Sequence, residues 1–124
     1  MKIRNWLLLR MHSIRFAVDG CVAFFNKQPN SWIHALSTLA VIFLGVGFDI
    51  VAIEWILLFL AVCLVWMTEM INSAIEEIVN WISPEWSDKA RYIKDVSAAA
   101  VLIAALFALI TAMIIFVPYI LRLF

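Results

Sequence analysis

The segment from residue 96 to residue 121 contains 26 consecutive residues without a charged side chain. An α-helix of that length can cross the hydrocarbon core of a bilayer, which is about 30 Å thick. A second uncharged run occupies residues 33–48, and a third apolar run, at 51–82, contains four glutamates. The chain is 66% hydrophobic and 15% charged, whereas a soluble domain carries about 25% charged residues. The sequence therefore predicts an all-α integral membrane protein.

The first 25 residues have a different pattern. Apolar residues recur at steps of three and four, and Arg4, Arg10 and Arg15 lie between them. Such a pattern is typical of an amphipathic helix that lies on a membrane surface. Pro29 then marks a break. We predict one membrane domain, 1–124, with a surface helix at 1–25 and spans at 33–48, 51–82 (with a cytoplasmic extension) and 96–121, the third helix starting after Asp95.

Basic residues are distributed unevenly, although the net charge is zero and nothing indicates a nucleic-acid partner. Eight of the nine precede the first span or lie in the connection before the last one: Lys2, Arg4, Arg10, Arg15, Lys27, Lys89, Arg91 and Lys94. Because cytoplasmic loops are enriched in Lys and Arg, the N-terminus and the second connection are predicted to be cytoplasmic.

The second span carries polar side chains on one face. At about 100° per residue, one stripe of the helix collects these residues: Glu69, Asn72, Ser73, Glu76 and Asn80. Polar groups at such a depth are expensive, so they commonly mark a functional site. The alternative is a structural stripe, satisfied by its own members, by Lys94 or by a neighbouring subunit.

Depth divides this stripe into two parts. Measured from Glu54 at the outer surface, Glu69 lies roughly 22 Å deeper and Glu76 roughly 33 Å deeper. Glu69 is therefore at acyl-chain depth and suits a base that takes a proton from a hydroxyl. Glu76 reaches the headgroup level, where a carboxylate can hold Mg²⁺. Lys94 enters the third helix at that level and can meet phosphate, with Asp95 orienting it or bonding the phosphate donor.

His34 lies on an apolar face near the inner boundary, and we interpret it as a packing or interface residue rather than a ligand. The chain has only three glycines and no glycine-rich phosphate loop. Any nucleotide chemistry must therefore use a scaffold unlike that of the soluble kinases.

Two segments carry a resemblance to a known family: Glu-Met-Ile-Asn-Ser-Ala-Ile-Glu at 69–76 and Lys-Asp-Val-Ser-Ala-Ala-Ala-Val-Leu at 94–102. Together they resemble the prokaryotic diacylglycerol kinase family, which includes the undecaprenol kinases. The resemblance implies a small homotrimer of the bacterial cytoplasmic (inner) membrane. Such an enzyme transfers the γ-phosphate of ATP to the primary hydroxyl of a lipid, at sites between subunits on the cytoplasmic side.

The resemblance also implies roles for individual residues. Glu69 corresponds to the catalytic base and Asn72 to a group that positions the reactants. Metal binding falls to Glu76 and to Gln28, where family members usually have Glu. The residues implied in nucleotide contact are Lys94, Asp95 and Asn80.

Several functions remain open at this point. A lipid kinase acting on diacylglycerol or undecaprenol is the first. A catalytically degenerate family member, serving as a membrane interaction or regulatory protein, is the second, because Gln28 removes a charge. A small transporter with an intramembrane glutamate is the third, although the carboxylates cluster at one end of the span rather than at its middle.

Overall fold

A computed structural model describes residues 2–124, with side chains described from Arg10 onward. The described part of the chain forms these helices: α1 (Lys2–Lys27), α2 (Asn30–Gly47), α3 (Ala52–Ile82) and α4 (Asp88–Leu121). By length and composition, α2, α3 and α4 are each able to cross a membrane. The prediction of an all-α membrane protein is therefore confirmed. The chain forms two compact units, Met1–Ile33 and His34–Phe124.

The first unit contains α1 and the turn into α2. All described side chains of α1 from Arg10 to Ala23 are exposed, apolar and charged alike. The turn is closed by Ser31, which is fully buried and whose hydroxyl donates to the carbonyl of Gln28 at 2.6 Å. That bond holds the backbone of Gln28 where α1 ends. The side chain of Gln28 is half-buried.

The second unit has its core at the α2–α3 turn. Ile50, Leu58, Ile115 and Phe116 are buried together there. Beside them the Tyr119 hydroxyl donates to Glu54 Oε2 at 2.8 Å, which fastens the end of α4 to the start of α3. This half-buried hydrogen bond helps to fix how the two helices meet.

Gly45 leaves room on α2 for the Trp55 side chain of α3. A Cβ atom at this position would lie 2.6 Å from the Trp55 ring, well inside van der Waals contact. A larger side chain at Gly45 would therefore displace the Trp55 ring.

The helix that contains the uncharged run 96–121, α4, begins at Asp88, earlier than the predicted start after Asp95. Ser87 caps it by accepting a hydrogen bond from the Ala90 amide at 3.1 Å, and Asp88 lies in its first turn. An acidic residue there is favoured by the helix dipole. Lys94 and Asp95 consequently lie within a formed helix rather than in its approach.

Candidate functional site

The polar face of α3 changes from buried to exposed along its length. Glu69 and Asn72 are buried, with 7% and 8% of their surface exposed. Glu76 is half-buried and Asn80 is exposed. Glu69 and Glu76 are separated by two helical turns, about 10 Å along the axis. The exposed fraction of the side chains therefore increases along the predicted stripe, from the sheltered carboxylate of Glu69 to the accessible one of Glu76. We call this change the gradient along α3.

Glu69 is bonded to a residue of another helix. His34 Nε2 on α2 lies 2.9 Å from Glu69 Oε1, and the two side chains are 18% and 10% exposed. The interpretation of His34 as a packing or interface residue did not anticipate this bond. A signal was present in the sequence, because a carboxylate at acyl depth needs a partner and His34 is an ionisable residue predicted near the same boundary.

The surroundings of His34 restrict its position. Its ring lies edge-on to the Trp66 indole, with centroids 6.1 Å apart. Trp66 Nε1 donates to Thr38 Oγ1 at 3.1 Å, and that hydroxyl donates to the His34 carbonyl at 2.7 Å. A cavity of about 270 Å³ adjoins these residues, and small side chains of α4 such as Ala105 and Ala108 form one wall.

Asn72 is held from two directions. Its Nδ2 donates to Glu76 Oε1 at 3.3 Å, and its Oδ1 accepts from the Ser97 hydroxyl at 2.6 Å. The Ser97 oxygen also lies 2.9 Å from the carbonyl oxygen of Lys94. This set links the middle of α3 to α4. In the sequence Ser97 stands only as part of the 94–102 motif, and no pattern there predicts its contact with Asn72.

Lys94 and Asp95 have separate partners. Lys94 Nζ donates to Asn80 Oδ1, so the structure brings together two of the residues assigned to nucleotide contact. Asp95 does not bond Lys94 but lies 3.4 Å from Arg91 Nε, one turn earlier on α4. Both partners of this ion pair are more than half exposed. Lys94 and Asn80 thus form a basic and amide group about one helical turn beyond Glu76.

Metal ligation has a limited donor set here. Among the side chains described from Arg10 onward, no group of three His, Cys, Asp or Glu residues could hold a metal ion. A single carboxylate such as Glu76 still fits Mg²⁺, which is usually bound through one or two carboxylates together with substrate phosphates. Gln28, the other residue predicted to bind the metal, lies in the first compact unit, Met1–Ile33.

Comparison with known proteins assigns the family. Residues 15–116, which include α2, α3 and most of α4, match the family model described as prokaryotic diacylglycerol kinase. The chain belongs to this family. It is therefore a membrane lipid kinase, a phosphotransferase that takes nucleotide and lipid substrates.

Relatives within the prokaryotic diacylglycerol kinase family carry two different names. Undecaprenol kinase of Bacillus subtilis (strain 168) is 33% identical, over 93% of this chain and 94% of the relative. Diacylglycerol kinase of Synechocystis is 34% identical, over 90% of this chain and 64% of the relative. Diacylglycerol kinase of Escherichia coli (strain K12) is 38% identical, over 63% of this chain and 64% of the relative.

Proposed function

We propose that this lipid kinase transfers the γ-phosphate of ATP to the primary hydroxyl of diacylglycerol or undecaprenol at the cytoplasmic face of the bacterial inner membrane. The observation that carries the proposal is the gradient along α3. The sheltered carboxylate of Glu69 suits an acceptor in the bilayer, and the accessible group around Glu76 suits a donor from the cytoplasm.

The acceptor half of the reaction uses Glu69. The lipid hydroxyl oxygen forms a bond to the γ-phosphorus while the bond from phosphorus to the β,γ-bridging oxygen breaks and ADP leaves. The hydroxyl proton passes to the Glu69 carboxylate. The apolar cavity beside His34, which is itself bonded to Glu69, offers space for the hydrocarbon part of the acceptor.

The donor half uses the cytoplasmic end of the stripe. Lys94, held by Asn80, keeps further N–H donors for phosphate oxygens, since an ammonium group has three. Asp95 and Asn80 complete the nucleotide contacts. Glu76 has oxygen atoms of the kind that Mg²⁺ prefers, the resemblance adds the amide oxygen of Gln28, and the ion would neutralise phosphate charge. Phosphoryl transfer needs mainly such positioning and neutralisation.

We also propose that the active protein is a homotrimer with its N-terminus in the cytoplasm. The uneven distribution of basic residues supports the orientation. The resemblance of the 69–76 and 94–102 segments to the family's motifs supports the trimer.

Phosphate transfer to a panel of lipids tests the proposed function. The purified protein in detergent is incubated with γ-labelled ATP, Mg²⁺ and either diacylglycerol or undecaprenol, with a lipid-free reaction as control. We expect label in the organic phase for at least one of the lipids, and only with Mg²⁺ present. Label on neither lipid at high Mg²⁺ would contradict the proposal.

Replacing Gln28 by Glu tests its assignment as a metal ligand. We expect the Mg²⁺ concentration for half-maximal activity to fall about tenfold, because ligand charge raises cation affinity. Gln28→Met, of similar size but without an oxygen, is the matched control and should raise that concentration. Equal Mg²⁺ dependence in both variants and the wild type would remove Gln28 from the metal site.

Replacing Ser97 by Ala tests how Asn72 is oriented. We expect kcat to fall about fivefold, the effect of losing one hydrogen bond of ordinary strength. The control is Thr111→Val, since the Thr111 hydroxyl is also buried but bonds only its own helix, at the Phe107 carbonyl. If both variants keep the wild-type kcat, Ser97 has no part in positioning Asn72.

A further inference from the structure

We infer that His34 is a positioning residue, which holds the Glu69 carboxylate so that its second oxygen, Oε2, faces the acceptor hydroxyl. This inference rests on the proposed role of Glu69 as the base. It adds a residue of α2 to a reaction that the sequence motifs place on α3 and α4.

The hydrogen bond from His34 uses one of the two carboxylate oxygens of Glu69. Among the residues with described side chains, Glu69 has no hydrogen-bond partner other than His34, at 2.9 Å through Oε1. No fully buried polar side-chain atom in that part of the chain lacks a partner. Oε2, which has none, is therefore not completely buried. One oxygen is fixed and the other is available.

His34 is itself held in place by its neighbours Thr38 and Trp66. Thr38 bonds the His34 carbonyl and also receives the Trp66 indole N–H, while the Trp66 ring packs edge-on against the imidazole. A support built from packing and hydrogen bonds is what holds a reacting group within a fraction of an ångström. The bond between His34 and Glu69 consequently limits rotation of the carboxylate.

The hydrogen bond between His34 and Glu69 is compatible with a general base at Glu69. A neutral imidazole with its proton on Nε2 donates to Oε1 and leaves Glu69 ionised, as a base must be before transfer. Oε2 then accepts the lipid proton while the bond to Oε1 persists. Without His34 the carboxylate can turn away from the hydroxyl, and small misplacements of a base have large effects on rate.

A pair of substitutions that differ by one methylene tests this role. The amide nitrogen of Gln can reach the place of Nε2, whereas that of Asn falls short. We expect His34→Asn to lower kcat about 30-fold, the effect of losing a hydrogen bond to a charged group, and His34→Gln to recover most of it. The KM for ATP should stay within about twofold in both, because neither touches the donor site.

Two outcomes would overturn the inference. A wild-type kcat in His34→Asn would show that Glu69 needs no support. Equal losses in both variants would show that the imidazole is required for something other than an N–H donor. An unchanged turnover in Glu69→Gln would instead contradict the assignment of Glu69 as the base. Failure of this inference and failure of the proposed function can therefore be told apart.

A spectroscopic measurement covers the case in which a His34 variant does not fold. The chain has two histidines, and His12 is exposed on α1. In protein labelled with ¹⁵N-histidine, Glu69→Ala, which removes the acceptor, should move the His34 imidazole resonances and leave those of His12 unchanged. Unmoved His34 resonances would overturn the inference.

Discussion

Replacing Glu69 by Gln is expected to lower kcat by a factor of about 10²–10⁴, the usual contribution of a general base. Gln has the same shape, and its carbonyl oxygen can still accept from His34 Nε2. The substitution therefore removes proton acceptance while preserving the bond between α2 and α3. Initial rates of lipid phosphorylation at saturating ATP and lipid measure the effect.

The control for this variant is Glu85→Gln. Glu85 is exposed in the connection between α3 and α4, and its substitution should leave kcat unchanged. The KM for ATP should be unaltered in Glu69→Gln, since the nucleotide contacts lie two turns away. Turnover within a few-fold of the wild type would show that another group accepts the proton.

Replacing Glu76 by Gln is expected to lower activity about 100-fold at ordinary Mg²⁺ concentrations, because a metal ion supplies several kcal/mol of charge stabilisation to transfer. The amide retains an oxygen that Asn72 can bond, so the local structure is preserved. The loss should be partly reversed at high Mg²⁺, because the neutral oxygen binds the cation weakly. A titration of initial rate against Mg²⁺ measures it.

Glu77→Gln is the matched control, because this carboxylate is the next residue on α3 and is exposed. It should leave the Mg²⁺ dependence unchanged. If the two variants behave alike, the metal is held by surface charge in general rather than by Glu76.

The membrane architecture could be predicted from the sequence because lipid leaves a chain few choices. A spanning helix must be long and predominantly apolar, so hydropathy identifies it. The polar face of α3 could also be predicted, because helical geometry fixes which side chains share a face. The motifs at 69–76 and 94–102 then indicated the family that the comparisons assign.

Contacts between helices could not be predicted in the same way. The bond from His34 to Glu69 depends on the register of α2 against α3, which brings together two residues 35 positions apart in the sequence. Similarly, Asp95 pairs with Arg91 because Ser87 starts α4 before both residues. Neither the register nor the cap follows from periodicity.

The central claim is that Glu69 serves the acceptor and Glu76 serves the donor. Binding of a non-hydrolysable ATP analogue, with and without Mg²⁺, to Glu69→Gln and Glu76→Gln tests it most directly. We predict wild-type, Mg²⁺-dependent affinity in Glu69→Gln and a loss of that dependence in Glu76→Gln. Impaired nucleotide binding in Glu69→Gln, or unchanged binding in Glu76→Gln, would contradict the account.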